Sequence, residues 1–333
     1  MNASELLSYP FMQRALLAAL FTGLAAPAIG TYLVQRRLAL MGDGIGHVAV
    51  TGVALGLVTG WSPTWTAVVV AVLGAVLIEV IRERGHTNGD VALALLFYGG
   101  LAGGVLVTGL GGQSAAQLQQ YLFGSITTIS AGDVIVTMVL AALVILVCVG
   151  LAPQLFAVAQ DPEFARVAGL KVRVYNVLVA VLAAVSVTVA MRTVGLLLVS
   201  ALMVVPVATS QQLSRTFRAT LVSAMALGCL ASVGGLTISA FASYHATVAP
   251  GPTIVLLSLA GFVVTWPIGA WLRHRARLHA PFADEPVGHD VTDTHPHDHG
   301  PACGHVAVPH DDHVDYVHDG HRHAPHGAHY DEH

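Results

Sequence analysis

Two residues in the stretch RRLALMGDGIGHVAVTGVALG, residues 36–56, are of types that do chemistry: Asp43 and His47. Residues four apart on a helix share one face. A carboxylate and an imidazole one turn apart make part of a chelate for a divalent cation. Oxygen plus nitrogen suits zinc, manganese or ferrous iron better than magnesium. Two ligands do not close a site; water, or the same helix of a second copy, would help complete it. Incomplete coordination is what conduction needs, because the ion must also leave. Plainer roles exist for the same residues. Asp43 is placed to cap a helix starting at Gly44, and His47 to hydrogen-bond a neighbouring helix. Gly42, Gly44, Gly46 and Gly52 are suited to close helix packing.

The surrounding chain must hold this pair in lipid. Of 333 residues, 55% are hydrophobic and only 10% charged, against about a quarter charged in a soluble domain. The apolar residues come in runs near twenty long, the length that spans a bilayer. They do not alternate with polar residues, which excludes a membrane β-barrel. The expected architecture is an all-α polytopic membrane protein of about nine spans, within a range of eight to ten. The spans fall roughly at 11–34, 38–60, 64–81, 91–109, 133–152, 174–190, 194–212, 219–241 and 253–272. Pro206 is expected to kink or break the seventh. The first run lacks a basic leader and reads as a retained helix, not a cleaved signal. Cys148, Cys229 and Cys303 are too widely spaced to suggest a disulfide framework. Charged groups are costly within a span and mark function there. A span starting near 38 would put His47 about 14 Å deep.

Charge divides the chain in two. Residues 1–280 hold 14 Lys/Arg and 8 Asp/Glu, whereas residues 281–333 hold 1 and 11. Under the nine-span alternation, 12 of the 14 basic residues fall in loops on one side, which is then the cytoplasmic side. The N-terminus is expected outside and the C-terminus inside. An inner loop, 153–173, mixes Asp161, Glu163, Arg166 and Lys171 with apolar residues at helical spacing, and a short amphipathic helix is expected there. Glu79 lies three residues before Arg82, the spacing of an ion pair. Asp133 opens a helix as a cap, and Tyr244 and His245 belong to an outer loop. Neither GDGIG nor GLGG is followed by Lys-Ser or Lys-Thr, so no phosphate-binding loop is present. The chain is not expected to hydrolyse ATP.

The segment 281–333 has 13 His among many Asp and several Pro and Gly. It has too few large apolar residues for a core and is expected to be a disordered cytoplasmic tail. His295, His297, His299, His318, His321 and His323 are its candidate ligands. Neutral imidazole favours zinc, nickel or copper over manganese. Such a tail would buffer or sense zinc, more weakly near pH 6 where His protonates.

Four separated motifs carry a resemblance. RRLALMGDGIGHVAVTGVALG, YLFGSITTIS, VGLLLVSALMVVPVATS and SYHATVAPGPTIVLLS resemble, in order, elements of the permease subunits of zinc and manganese ABC importers, the ABC-3 group. The resemblance covers about residues 10–275. It implies a type II ABC importer permease-like fold in a prokaryotic plasma membrane. It also implies a homodimer, two cytoplasmic ATPase subunits and an extracytoplasmic metal-binding protein. Nucleic acid is not expected among the partners. Asp43 and His47 match the motif residues held to line the metal path. The loop with Asp161, Glu163, Arg166 and Gly169 falls where the family docks its ATPase. Gly46 stands where the motif usually has Ser, removing a possible oxygen ligand, and Thr51 stands where it has Pro. The expected cargo is zinc first and manganese second, with no permanently bound cofactor. The alternative is a stand-alone proton-driven metal transporter with a His-rich cytoplasmic sensor; a membrane scaffold with a metal-storing tail is a third reading.

Overall fold

A computed structural model describes residues 8–83, 89–112, 130–193, 195–243, 248–279, 291–292, 300–310, 313–318, 321–326 and 329–332. The chain divides into two units, Met1–Leu272 and Arg273–His333.

In the first unit the apolar runs fold as α1 (Pro10–Gln35), α2 (Met41–Thr59), α3 (Pro63–Glu83), α4 (Gly89–Leu110) and α5 (Ala131–Gly150). Two short helices follow, α6 (Ala152–Gln160) and α7 (Pro162–Val167). Then come α8 (Val172–Thr193), α9 (Leu196–Leu213), α10 (Phe217–Ala242) and α11 (Pro250–His279). Among the described residues, α1–α5, α8, α10 and α11 are the 8 helices long and apolar enough to cross a membrane; the apolar part of α9, Val199–Leu213, is shorter. These helices coincide with the nine expected spans. Pro206 does not break α9, which stays helical through Leu213.

α1, α2 and α8 are the most buried of the long apolar helices. α1 packs against α5, α8, α9 and α10, and α2 against α3 and α4. Large apolar residues on the outer helices, such as Leu73, Leu95, Val139, Leu230 and Val263, are exposed. In a bilayer those faces meet lipid or another chain.

Glycines set the closest approach. A β-carbon at Gly100 of α4 would lie 2.5 Å from the Val48 nitrogen and 2.7 Å from the His47 carbonyl oxygen of α2. These are backbone atoms and cannot swing aside. The neighbouring Gly99 has nothing within 4 Å of such an atom. Gly100→Ala should therefore destabilise the bundle by about 1–3 kcal/mol through overpacking, while Gly99→Ala leaves it unchanged or slightly firmer. Thermal unfolding of the two variants in detergent separates the outcomes; equal midpoints would remove this account of the α2–α4 crossing. Nearby, Thr51 donates its hydroxyl to the Gly100 carbonyl at 2.7 Å. Thr51, at the motif's proline position, thus ties α2 to α4.

The tail expected to be disordered makes up most of the second unit. Its described residues form a five-stranded antiparallel sheet ordered β1-β5-β4-β3-β2. The strands are β1 (Val291–Thr292), β2 (Val306–His310), β3 (His313–His318), β4 (His321–His326) and β5 (His329–Glu332). Val, Tyr and His interleave, and Tyr316 and Ala324 are buried.

Candidate metal-passage site

The turn before α2 determines where Asp43 and His47 stand. Arg37 adopts a left-handed conformation, φ 59°. Arg37 N donates to the Val34 carbonyl at 3.0 Å and Leu38 N to the Leu33 carbonyl at 2.8 Å. This pattern closes the C-terminus of α1 as a Schellman motif does. Met41 N then donates to the Leu38 carbonyl at 2.9 Å, and α2 begins. Asp43 consequently lies in the first turn of α2, whose N-cap is Leu40 and has no side-chain cap. The N-cap role considered for Asp43 is not what the structure shows. With the helix starting at Met41, His47 is about 9 Å along its axis, less than the 14 Å expected from the sequence.

His47 is 4% exposed, with its ring centroid 4.0 Å from that of Phe97 on α4. Its Nδ1 is 2.8 Å from the Asp43 carbonyl oxygen and 3.9 Å from Asp43 Oδ1. A carbonyl only accepts, so Nδ1 carries the proton in that bond and Nε2 keeps a lone pair for an ion. Asp43 lines a cavity of about 340 Å³ with Leu40, Gly44, Leu93, Ala94, Phe97 and Tyr98. Leu40 and Tyr98 are both highly exposed, so the cavity opens sideways along the α2–α4 seam. Among the described residues no group of three His, Cys, Asp or Glu is positioned to hold a metal. One chain therefore presents an anchored imidazole and a partly accessible carboxylate.

Gly46 does not belong to this face. A β-carbon there would collide with Leu196 of α9, so a serine at this position would point into the helix packing. The absent serine removes no ligand from the Asp43 cavity, which corrects the expectation above. Gly44 lines the cavity, and a β-carbon there would meet Leu93 and Leu96 only at ordinary contact distance.

Charged residues beneath the site are paired. Glu79 is fully buried; its Oε1 accepts from Arg82 at 3.1 Å and from Arg36 at 3.5 Å. The expected Glu79–Arg82 ion pair is present, and Arg36 joins it. Asp133 acts within a capping box, with Ser130 as the N-cap.

The expected amphipathic segment is the α6–α7 pair. Asp161 Oδ1 accepts from the backbone of Glu163 at 3.0 Å and of Phe164 at 2.9 Å, capping α7. Glu163 pairs with Arg166 at 2.8 Å. Gly169, φ 84°, supplies the left-handed residue that ends the helix. Phe164 and Val167 are left exposed. This segment is tied to α1 where Gln35 Nε2 donates to Gln160 Oε1, and α5 is tied to α1 where Tyr32 donates to the Cys148 carbonyl at 2.6 Å. Phe217 stacks between Tyr32 and Phe156.

Sequence reasoning missed Phe97, Tyr98, the Gln35–Gln160 bond and the Gly100 contact. Only the last had a signal, the small-residue spacing in YGGLAGG, residues 98–104. His295, His297 and His299, the stretch 113–129 with YLFGSITTI, and Tyr244 and His245 lie outside the described residues. His318, His321 and His323 fall on the sheet of the second unit.

Residues 8–268 match the family described as the ABC 3 transport family. The manganese import system permease protein ScaB of Streptococcus parasanguinis is 32% identical over 272 residues, 82% of this chain and 95% of that protein. The high-affinity zinc uptake system membrane protein ZnuB of Haemophilus influenzae is 28% identical, over 75% of this chain and 95% of its own length. A solved structure, PsaBC from Streptococcus pneumoniae in complex with Fab, superposes with a TM-score of 0.72 at 29% identity, covering 82% of this chain and 98% of that one. A multi-span helical bundle matched from its first helix to its last leads to one assignment: the chain is a membrane permease belonging to the ABC 3 transport family.

Proposed function

We propose that this chain is the membrane-spanning subunit of an ATP-driven importer for manganese or zinc. The observation that carries the reading is the Asp43–His47 pair, held one turn apart beside a cavity that opens at the α2–α4 seam. A second copy meeting that seam would double the ligands to two carboxylates and two imidazoles. Such a set holds a dication while leaving it free to exchange. ATP hydrolysis is assigned to separate cytoplasmic subunits docking on α6–α7, where Phe164 and Val167 offer apolar contacts between the charges of Glu163 and Arg166. An extracytoplasmic protein delivers the metal. The basic loops put the N-terminus outside and the tail in the cytoplasm. There the tail binds zinc as it emerges.

The sequence ordering of zinc before manganese is not kept. ScaB is named for manganese and ZnuB for zinc, and a carboxylate–imidazole pair accepts both. Growth rescue of an uptake-deficient host under zinc or manganese limitation decides between them.

Reconstitution tests the assembly. In liposomes the chain alone should move neither metal, and uptake should require an ABC ATPase and a binding protein. Transport by the chain alone under a proton gradient would replace this reading with the secondary transporter.

A further inference from the structure

Asp43 and His47 are not equally open. The Asp43 side chain is 31% exposed and reaches the cavity at the α2–α4 seam. The His47 side chain is only 6% exposed, and His47 is not among the residues lining that cavity. Phe97 of α4 accounts for the difference. It lines the cavity, and its ring centroid lies 4.0 Å from that of His47, with the planes 41° apart. Aromatic rings usually pair at about 4.5–7 Å, so the contact is tight and holds no water between the rings. Tyr98 meets the same Phe97 ring edge-on at 5.4 Å.

The imidazole is poorly placed to come out to an ion by itself. Its Nδ1 is bonded to the Asp43 carbonyl of its own helix at 2.8 Å. The α2 backbone at His47 and Val48 is pressed against Gly100 of α4. Phe97, in contrast, has room to move. The cavity beside it measures about 340 Å³, and a cavity of about 150 Å³ accommodates benzene. A displaced phenyl ring therefore leaves space for an ion beside Asp43.

We propose that Phe97 is a positioning residue that sets the order in which the pair meets a dication. Asp43 takes the ion first, and His47 joins only once the Phe97 ring has turned aside. Until then the ring holds the imidazole in one orientation, with Nε2 keeping its lone pair. An apolar ring beside the carboxylate also obliges the ion to shed water before nitrogen replaces it. That step disfavours magnesium, which dehydrates reluctantly. The proposal rests on the reading of Asp43 and His47 as the metal path and deepens it.

The test is acylation of His47 by diethyl pyrocarbonate, which attacks an imidazole nitrogen bearing a lone pair. It is read by mass spectrometry of the His47 peptide, from the full chain in detergent micelles near neutral pH. Phe97→Ala should raise the rate at His47 at least tenfold. Phe97→Tyr, which keeps a covering ring, should stay within twofold of the parent. So should Leu96→Ala, which trims the packing of α4 and leaves the ring in place. Cys148, buried in the core, should stay closed to maleimide in every chain. Equal rates in Phe97→Ala and the parent would overturn the proposal, and leave the metal reading of the pair to the uptake assay of Asp43→Ala. A rise shared by Leu96→Ala, or accompanied by Cys148 labelling, would also overturn it, because the protection would then come from the packing of α4 as a whole. Millimolar manganese tests the second half. In Phe97→Ala it should slow acylation of His47 at least threefold, and the joint variant Asp43→Ala with Phe97→Ala should lose that protection. An uncovered His47 that manganese does not protect would overturn the order of ligands together with the metal reading of the pair.

Discussion

Asp43→Ala is expected to abolish metal uptake by the proposed transporter, while the chain still inserts and unfolds at its usual temperature. The carboxylate is part-exposed to a cavity, so removing it leaves no hole in the core. It accepts no side-chain bond that closes α2. The dication, in contrast, loses a charged ligand where water is scarce. Breaking such a charge pairing away from bulk water costs about 3–5 kcal/mol, or about 10²–10⁴-fold in rate if the passage step bears it. Asp43→Asn should lose nearly as much, because shape survives and charge does not. His47→Ala should lose uptake and stability together, since the ring is buried against Phe97. Radiolabelled or fluorescent metal uptake, paired with thermal unfolding of the same preparations, checks the contrast. Uptake by Asp43→Ala at the normal rate would end the case for this site and favour a scaffold.

The second large effect is on folding. Glu79→Ala leaves Arg36, whose side chain is only 9% exposed, without its carboxylate. An uncompensated buried charge costs about 3–5 kcal/mol, enough to unfold a marginal membrane domain. The carboxylate also holds Arg82, so two cations lose one anion. The joint variant Arg36→Met with Glu79→Leu should recover most of the loss, because apolar residues replace the pair without stranding a charge. Thermal unfolding in detergent reads all three chains. If Glu79→Ala unfolds like the parent, the pair is ornamental and α1 is fastened to α3 by packing alone.

Much of this was legible from the residues. Hydrophobic runs gave nine helices at their places because a bilayer dictates both length and composition. Asp43 and His47 stood out because lipid makes such groups conspicuous. The start of α2 was less visible. It depends on Arg37 entering a left-handed conformation, which a glycine would have signalled and an arginine does not. The misassignment of Gly46 has a similar origin: a motif position says nothing of which neighbour faces it, and here the neighbour is Leu196.

The turn between α1 and α2 is held by backbone bonds donated by Arg36, Arg37, Leu38, Met41 and Gly44. It behaves as a rigid crank. Its inner arm is gripped by Gln160 of α6 through Gln35, and its outer arm bears Asp43 within the first turn of the next helix. A push on α6 therefore cannot be absorbed by a slack hinge on the way; it must swing the carboxylate, or break the grip first.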